Sequence, residues 1–182
     1  SRVSTKKNGG KPCVYIGLST IDIFTGKSYI FQCSQQYSHT PTTFDEIERF
    51  ISIYRPNEVL FIYRNFTEQA INDIINFSGV RCDSIRKINV DSEHNILCKN
   101  AKNSERQSYQ KELLNRFYSV ADIDSFFENY YQYPMATNSF CFLLDYIYSH
   151  NQSLVNKIAE PIFENCSNRL VLANHSLQQL KM

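Results

Sequence analysis

Val59-Leu-Phe-Ile-Tyr63 is a run of five consecutive apolar residues that opens three positions after Pro56. A strand with one wet face would alternate, so an unbroken run this short reads as a strand buried on both faces. Such a strand needs a layer of helix on each side. The flanking sequence supplies helices. Phe44, Ile47, Phe50, Ile51 and Tyr54 recur at helical spacing, and Pro56 forbids continuation. Thr43-Phe-Asp-Glu46 has the spacing of a capping box, so a helix start is expected there. Ala70, Ile71, Ile74 and Ile75 mark a second amphipathic helix over 67–77, ended by Gly79, and 80–88 can return as a strand.

Upstream, 13–24 is rich in β-branched and aromatic residues, Thr25-Gly26 supplies a turn, and 27–33 alternates as a returning strand. Hairpin, helix, strand, helix, strand calls for an α/β domain with a mixed sheet flanked by helices. Residues 1–12, polar and basic, read as a linker. Residues 89–108 read as an exposed loop. Helices are expected over 109–118, 123–131 and 138–148, where Phe140, Leu143, Leu144 and Ile147 are in register. The pattern does not separate helix from extended chain over 151–182.

A core is within reach, because 42% of the residues are hydrophobic and 14% aromatic. The net charge of +1 argues against a dedicated nucleic-acid face, which normally carries a basic excess. The six cysteines form no CxxC pair and the four histidines are dispersed, so free thiols, a reducing intracellular compartment and no metal site are expected. No apolar run approaches the roughly 20 residues of a membrane span. Without an initial Met or a signal peptide, the chain reads as an internal piece of a longer protein.

The order of four short motifs says more. Tyr15-Ile-Gly-Leu-Ser-Thr-Ile-Asp22-Ile-Phe-Thr25-Gly26 resembles the first hairpin of the connector domain of MutS-type mismatch-repair proteins. Arg55-Pro56-Asn57-Glu58-Val59-Leu60 is similar to that family's segment entering the next strand. Phe142-Leu143-Leu144-Asp145-Tyr146-Ile147 resembles its helix leading from connector to core. Leu170-Val-Leu172 through Leu180 resembles the start of its lever region, with Ala173, Asn174, Ser176 and Gln179 departing from the pattern. The branch shared by giant viruses and some mitochondria is the expected subfamily.

The resemblance implies an RNase-H-like sheet followed by a helical extension. It divides the chain into a linker (1–12), a connector-like domain (13–133, with its α/β body over 13–88) and a helical transition into core and lever (134–182). It implies a module that joins a mismatch-reading domain to core and ATPase and relays nucleotide state to a MutL-like partner, with DNA held mainly by other domains. The family-motif residues are Asp22, Thr25, Gly26, Arg55, Pro56, Glu58, Leu144, Tyr146, Leu172 and Leu180. No G-x-x-x-x-G-K-[ST] loop is present, so the chain is expected to have no cofactor and not to be an enzyme, ATP and Mg²⁺ belonging to the parent.

The alternative is a free-standing Mg²⁺-dependent nuclease, with Asp22 on the first strand of the fold and Glu46 and Glu48 nearby. The blander reading makes Asp22 the acceptor for its own turn. Arg2, Lys6, Lys7 and Lys11 can touch phosphate but read as a solvated linker. Phe126-Phe127-Glu128 matches the family's mismatch-probing pattern yet reads as core, and the Tyr130–Tyr133 cluster as a packed helix end.

Overall fold

The computed structural model describes residues 1–8, 10–92 and 95–164. Its centre is a six-stranded sheet formed by β1 (Arg2–Asn8), β2 (Lys11–Ile21), β3 (Ser28–Gln36), β4 (Glu58–Arg64), β5 (Ser84–Asn89) and β6 (Ile162–Phe163), in the order β5-β4-β1-β2-β3-β6. β1 pairs antiparallel with β2 and β2 with β3, whereas β4 runs parallel to β1, β5 to β4 and β6 to β3. Order 3-2-1-4-5 with β2 alone reversed is the RNase-H-like arrangement, and β6 extends it at the far edge.

Helix α1 (Asp45–Tyr54) and α2 (Glu68–Phe77) cover one face; α3 (Ile96–Asn103), α4 (Gln107–Tyr118), α5 (Ile123–Tyr131) and α6 (Pro134–His150) cover the other, followed by the single turn α7 (Gln152–Val155). β4 shows why both layers exist. Val59, Phe61 and Tyr63 enter the core with Phe44, Ile47 and Ile74, while Leu60 and Ile62 enter the opposite one with Ile88, Cys98 and Phe142. Burying one such side chain contributes about 1.5–3 kcal/mol, so a single strand feeds both layers.

Three expectations are corrected. The linker at 1–12 is the central strand β1, followed by the start of β2. Its polar composition hides it, because β1 meets the core chiefly through Val3 and otherwise gains sheet hydrogen bonds, which any residue can make. The loop at 89–108 contains α3, capped by the Asn95 side chain accepting from the Cys98 amide at 2.9 Å. The expected capping box is absent. Thr43 lies in a 3₁₀ turn (Pro41–Phe44) and donates its hydroxyl to the Ser38 carbonyl at 2.8 Å, while Glu46 pairs with Arg49 at 2.7 Å.

The helix that resembles the one leading from connector to core lies across the sheet. α6 starts against β2 at Gly17, where a Cβ would collide with the Met135 carbonyl, and Gln32 of β3 accepts from the Met135 amide at 2.7 Å. Phe140 and Leu144 enter one core cluster and Phe142 and Tyr146 the next, so α6 belongs to the sheet's second layer.

Candidate functional site

In the register of the sheet, Arg2 of β1 stands opposite Gly17 of β2 and Ile62 of β4. Next to this register lies a cleft of about 770 Å³, lined by residues 18–21 of β2 and 58–60 of β4 and walled by α1 through Phe50 and Tyr54 and by α6 through Ser139 and Tyr146.

Six of the family-motif residues line this cleft although they come from three distant segments. They are Asp22, Thr25, Arg55, Pro56, Glu58 and Tyr146. Gly26 lies beside them and Leu144 is fully buried behind. Leu172 and Leu180, with the departures around them, lie outside the described residues.

Each of these residues has a local cause. Asp22 closes the turn between β2 and β3: its Oδ1 accepts from the Phe24 amide at 2.9 Å and its Oδ2 from the Thr25 hydroxyl at 2.8 Å. The Thr25 hydroxyl, then the Phe24 amide, hold the carboxyl below its ordinary value of 3.8. Gly26 takes φ +75°, and its carbonyl accepts from the Ala159 amide at 2.8 Å, seating the segment before β6. Arg55 ends α1 in the left-handed conformation, its amide donating to the Ile51 carbonyl at 2.8 Å, and Pro56 then blocks any further turn. Glu58 accepts from the Tyr146 hydroxyl at 2.9 Å and stands 3.4 Å from Arg86, tying α6 to β4. Burial, then the Glu58 contact, raises the Tyr146 hydroxyl above its ordinary value.

The turn reading of Asp22 matches this geometry; the placement behind the nuclease reading does not. Asp22 follows the second strand, not the first, and β1 carries no carboxylate. Among the described residues, no group of three or more His, Cys, Asp or Glu side chains is placed to hold a metal ion. Phe127 is buried in the core that also holds Phe140 and Tyr130, and Phe126 packs against it, while Glu128 is exposed.

Two features escaped the sequence. One is the apolar rim of the cleft, where Phe24 is 88% exposed and Ile53 50% exposed. The other is a half-buried ionic knot, in which Glu164, after β6, accepts from Tyr54 and pairs with Arg49 at 3.3 Å. No spacing signal joins residues this far apart.

No family model matches the chain. It is 25% identical, over an alignment of 189 positions, to a mutS homolog of Acanthamoeba polyphaga mimivirus that its name assigns provisionally to DNA mismatch repair. That alignment covers 94% of this chain and 16% of the mimivirus protein, so the chain spans about a sixth of that relative's length. Similarity to a MutS-type protein therefore runs through almost the whole chain. Among solved structures, the chain is similar to Fowlpox virus resolvase in complex with substrate Holliday junction DNA, at a TM-score of 0.40 and 14% identity, covering 82% of this chain and 98% of the resolvase chain.

The resolvase comparison corrects one expectation. The expectation that this chain is not an enzyme is withdrawn: the solved structure that it is similar to is a resolvase with substrate DNA. A likeness that low assigns no reaction either. Among the described residues, no helix is long and apolar enough to cross a membrane.

Proposed function

We propose that this chain is the connector module of a MutS-type mismatch-repair protein, joining its mismatch-reading part to its core and ATPase and relaying nucleotide state to a MutL-like partner. The observation that carries this reading is the 25% identity to the mimivirus mutS homolog across 94% of the chain. Supporting it, the motif residues of the hairpin turn, the β4 entry and α6 meet around one cleft, where a shift of α6 against β4 would be felt at the Glu58–Tyr146 contact. ATP and Mg²⁺ are assigned to the parent outside these residues. Subfamily, host compartment and the MutL-like partner form part of the same proposal.

The test begins with the gene. The reading frame should continue downstream into a G-x-x-x-x-G-K-[ST] loop. The full-length protein should then capture a MutL-like protein in the presence of ATP and mismatched duplex, and lose that capture in Tyr146→Ala while retaining DNA-stimulated ATP hydrolysis. A frame without the phosphate loop sinks the proposal, as does capture indifferent to nucleotide.

A further inference from the structure

The turn between β2 and β3 presents its largest side chain to solvent. Phe24 is 88% exposed, with Ile23 beside it at 38%, and Ile53, in the last turn of α1, is 50% exposed. All three border the same cleft, so one hairpin and one helix offer a shared apolar face. Single exposed apolar residues are ordinary; several gathered at the mouth of a concavity and edged by charge mark a binding surface.

The face is held in place. Besides the bonds of the Asp22 carboxylate, the Asp22 amide donates to the Lys27 carbonyl at 2.9 Å and the Gly26 amide to the Asp22 carbonyl at 2.8 Å. The segment before β6 backs the turn, with the Ser28 hydroxyl donating to the Ala159 carbonyl at 3.0 Å. A rim fixed in this way loses little freedom on binding.

The charge available at the rim has one sign. Lys27 and Arg55 line the cleft, both are exposed, and neither forms an ion pair among the described residues. Lys27 acts on the Asp22 carboxyl only as the weakest of the influences that lower it. The neighbouring carboxylates are engaged: Asp22 by its own turn, Glu58 by Arg86 and Tyr146, and Glu164 by Arg49 and Tyr54. On its other side Arg55 borders a second hollow, of about 640 Å³, where the charges of Arg81 and Asp83 offset each other.

We propose that this face docks an acidic amphipathic segment of a partner protein, its apolar side chains against Phe24, Ile23 and Ile53 and its carboxylates at Lys27 and Arg55. Nothing in this depends on the mismatch-repair reading. Interfaces between proteins centre on a few aromatic or aliphatic anchors with charge at the rim, which is the arrangement here. Single-stranded nucleic acid is held by successive aromatic rings along a basic groove, whereas two of the three exposed side chains are aliphatic. A lipid surface is recognised by clusters of about four to eight basic residues, and two line this cleft.

A peptide library displayed on phage supplies the probe, selected on the 182-residue chain and counter-selected on its Phe24→Ser variant. The recovered peptides should carry two or three apolar residues spaced along one face, with Asp or Glu between them. One of them, synthesised with a fluorescent label, is then titrated by anisotropy. Phe24→Ala and Ile53→Ala should each weaken binding, the first at least about tenfold. Lys27→Gln/Arg55→Asn, with Asn chosen because it tolerates left-handed backbone, should weaken it at least about fivefold at low salt and flatten its salt dependence. Ile96→Ala, 65% exposed on α3, should change affinity less than about threefold. Circular dichroism confirms that each variant is folded. The proposal falls if selection yields no peptide or only basic and uncharged ones, if Phe24→Ala and Ile96→Ala bind alike, or if single-stranded DNA or anionic vesicles compete for the face more tightly than the peptide. A dimer of the chain that Phe24→Ala dissociates in sedimentation would assign the face to a second copy and overturn it as well.

Discussion

Gly26 is constrained from two directions at once. Its φ of +75° is one that L side chains rarely adopt, and a Cβ there would collide with the carbonyl of Lys157, which arrives from far along the chain. Gly26→Ala should therefore cost more than an ordinary turn substitution, about 2–4 kcal/mol in urea denaturation, whereas Gly10→Ala, at φ +85° in open space, should cost about 1 kcal/mol. Equal costs would show that conformation alone matters. Thr25-Gly26 was legible as a turn because turn chemistry is local, and so was the bond from Asp22 to its own loop. The neighbour at Lys157 was not, since nothing near Gly26 encodes it. The same limit hid the cleft: Asp22, Arg55 and Tyr146 each announced themselves singly, and their meeting is a product of tertiary packing.

Among the elements, β6 is the least self-sufficient. Its two residues pair with β3 at Tyr29 and Ile30, and the Glu164 amide donates to the Ile30 carbonyl at 2.9 Å. A strand this short depends on its anchors, and Glu164 is one, with a side chain 11% exposed between Arg49 and Tyr54. Glu164→Gln should lower stability by about 1–3 kcal/mol and speed hydrogen exchange at the 163–164 amides ahead of β2 and β3. Uniform acceleration throughout the sheet would contradict that local role. Elements with strong periodicity were readable in advance: the β2–β3 hairpin, α1, β4, α2, β5 and the helices from α4 to α6. β1 and α3 were not. β1 is a central strand in polar disguise, and α3 buries chiefly Cys98 and Ala101, too little apolar surface to stamp a pattern on its eight residues.

At the scale of the whole molecule, tyrosines knit the second layer. Burial, more than any neighbouring charge, pushes the Tyr109 hydroxyl up to about 12 and raises those of Tyr118 and Tyr130 further. A folded-state value above the ordinary 10 means that the unfolded chain gives up its protons first. The stability these groups contribute is complete below about pH 10 and is lost as pH rises through the folded-state values. The thermal midpoint should thus fall steadily above about pH 10, and Tyr118→Phe/Tyr130→Phe should flatten the fall. A midpoint that is level to pH 12, or a slope unchanged in the double variant, would refute this assignment.

The position of β1 also bears on how the chain is made. Its parallel partner is β4, and residue 2 must wait for residue 62. At roughly 5–20 residues per second, a ribosome leaves β1 with one bare edge for some 3–12 s. Exposed strand edges invite pairing with other nascent chains, and charge is a common protection. Four basic and no acidic residues among the first eleven of the sequence would keep copies of this protein apart on a polysome before β4 is made.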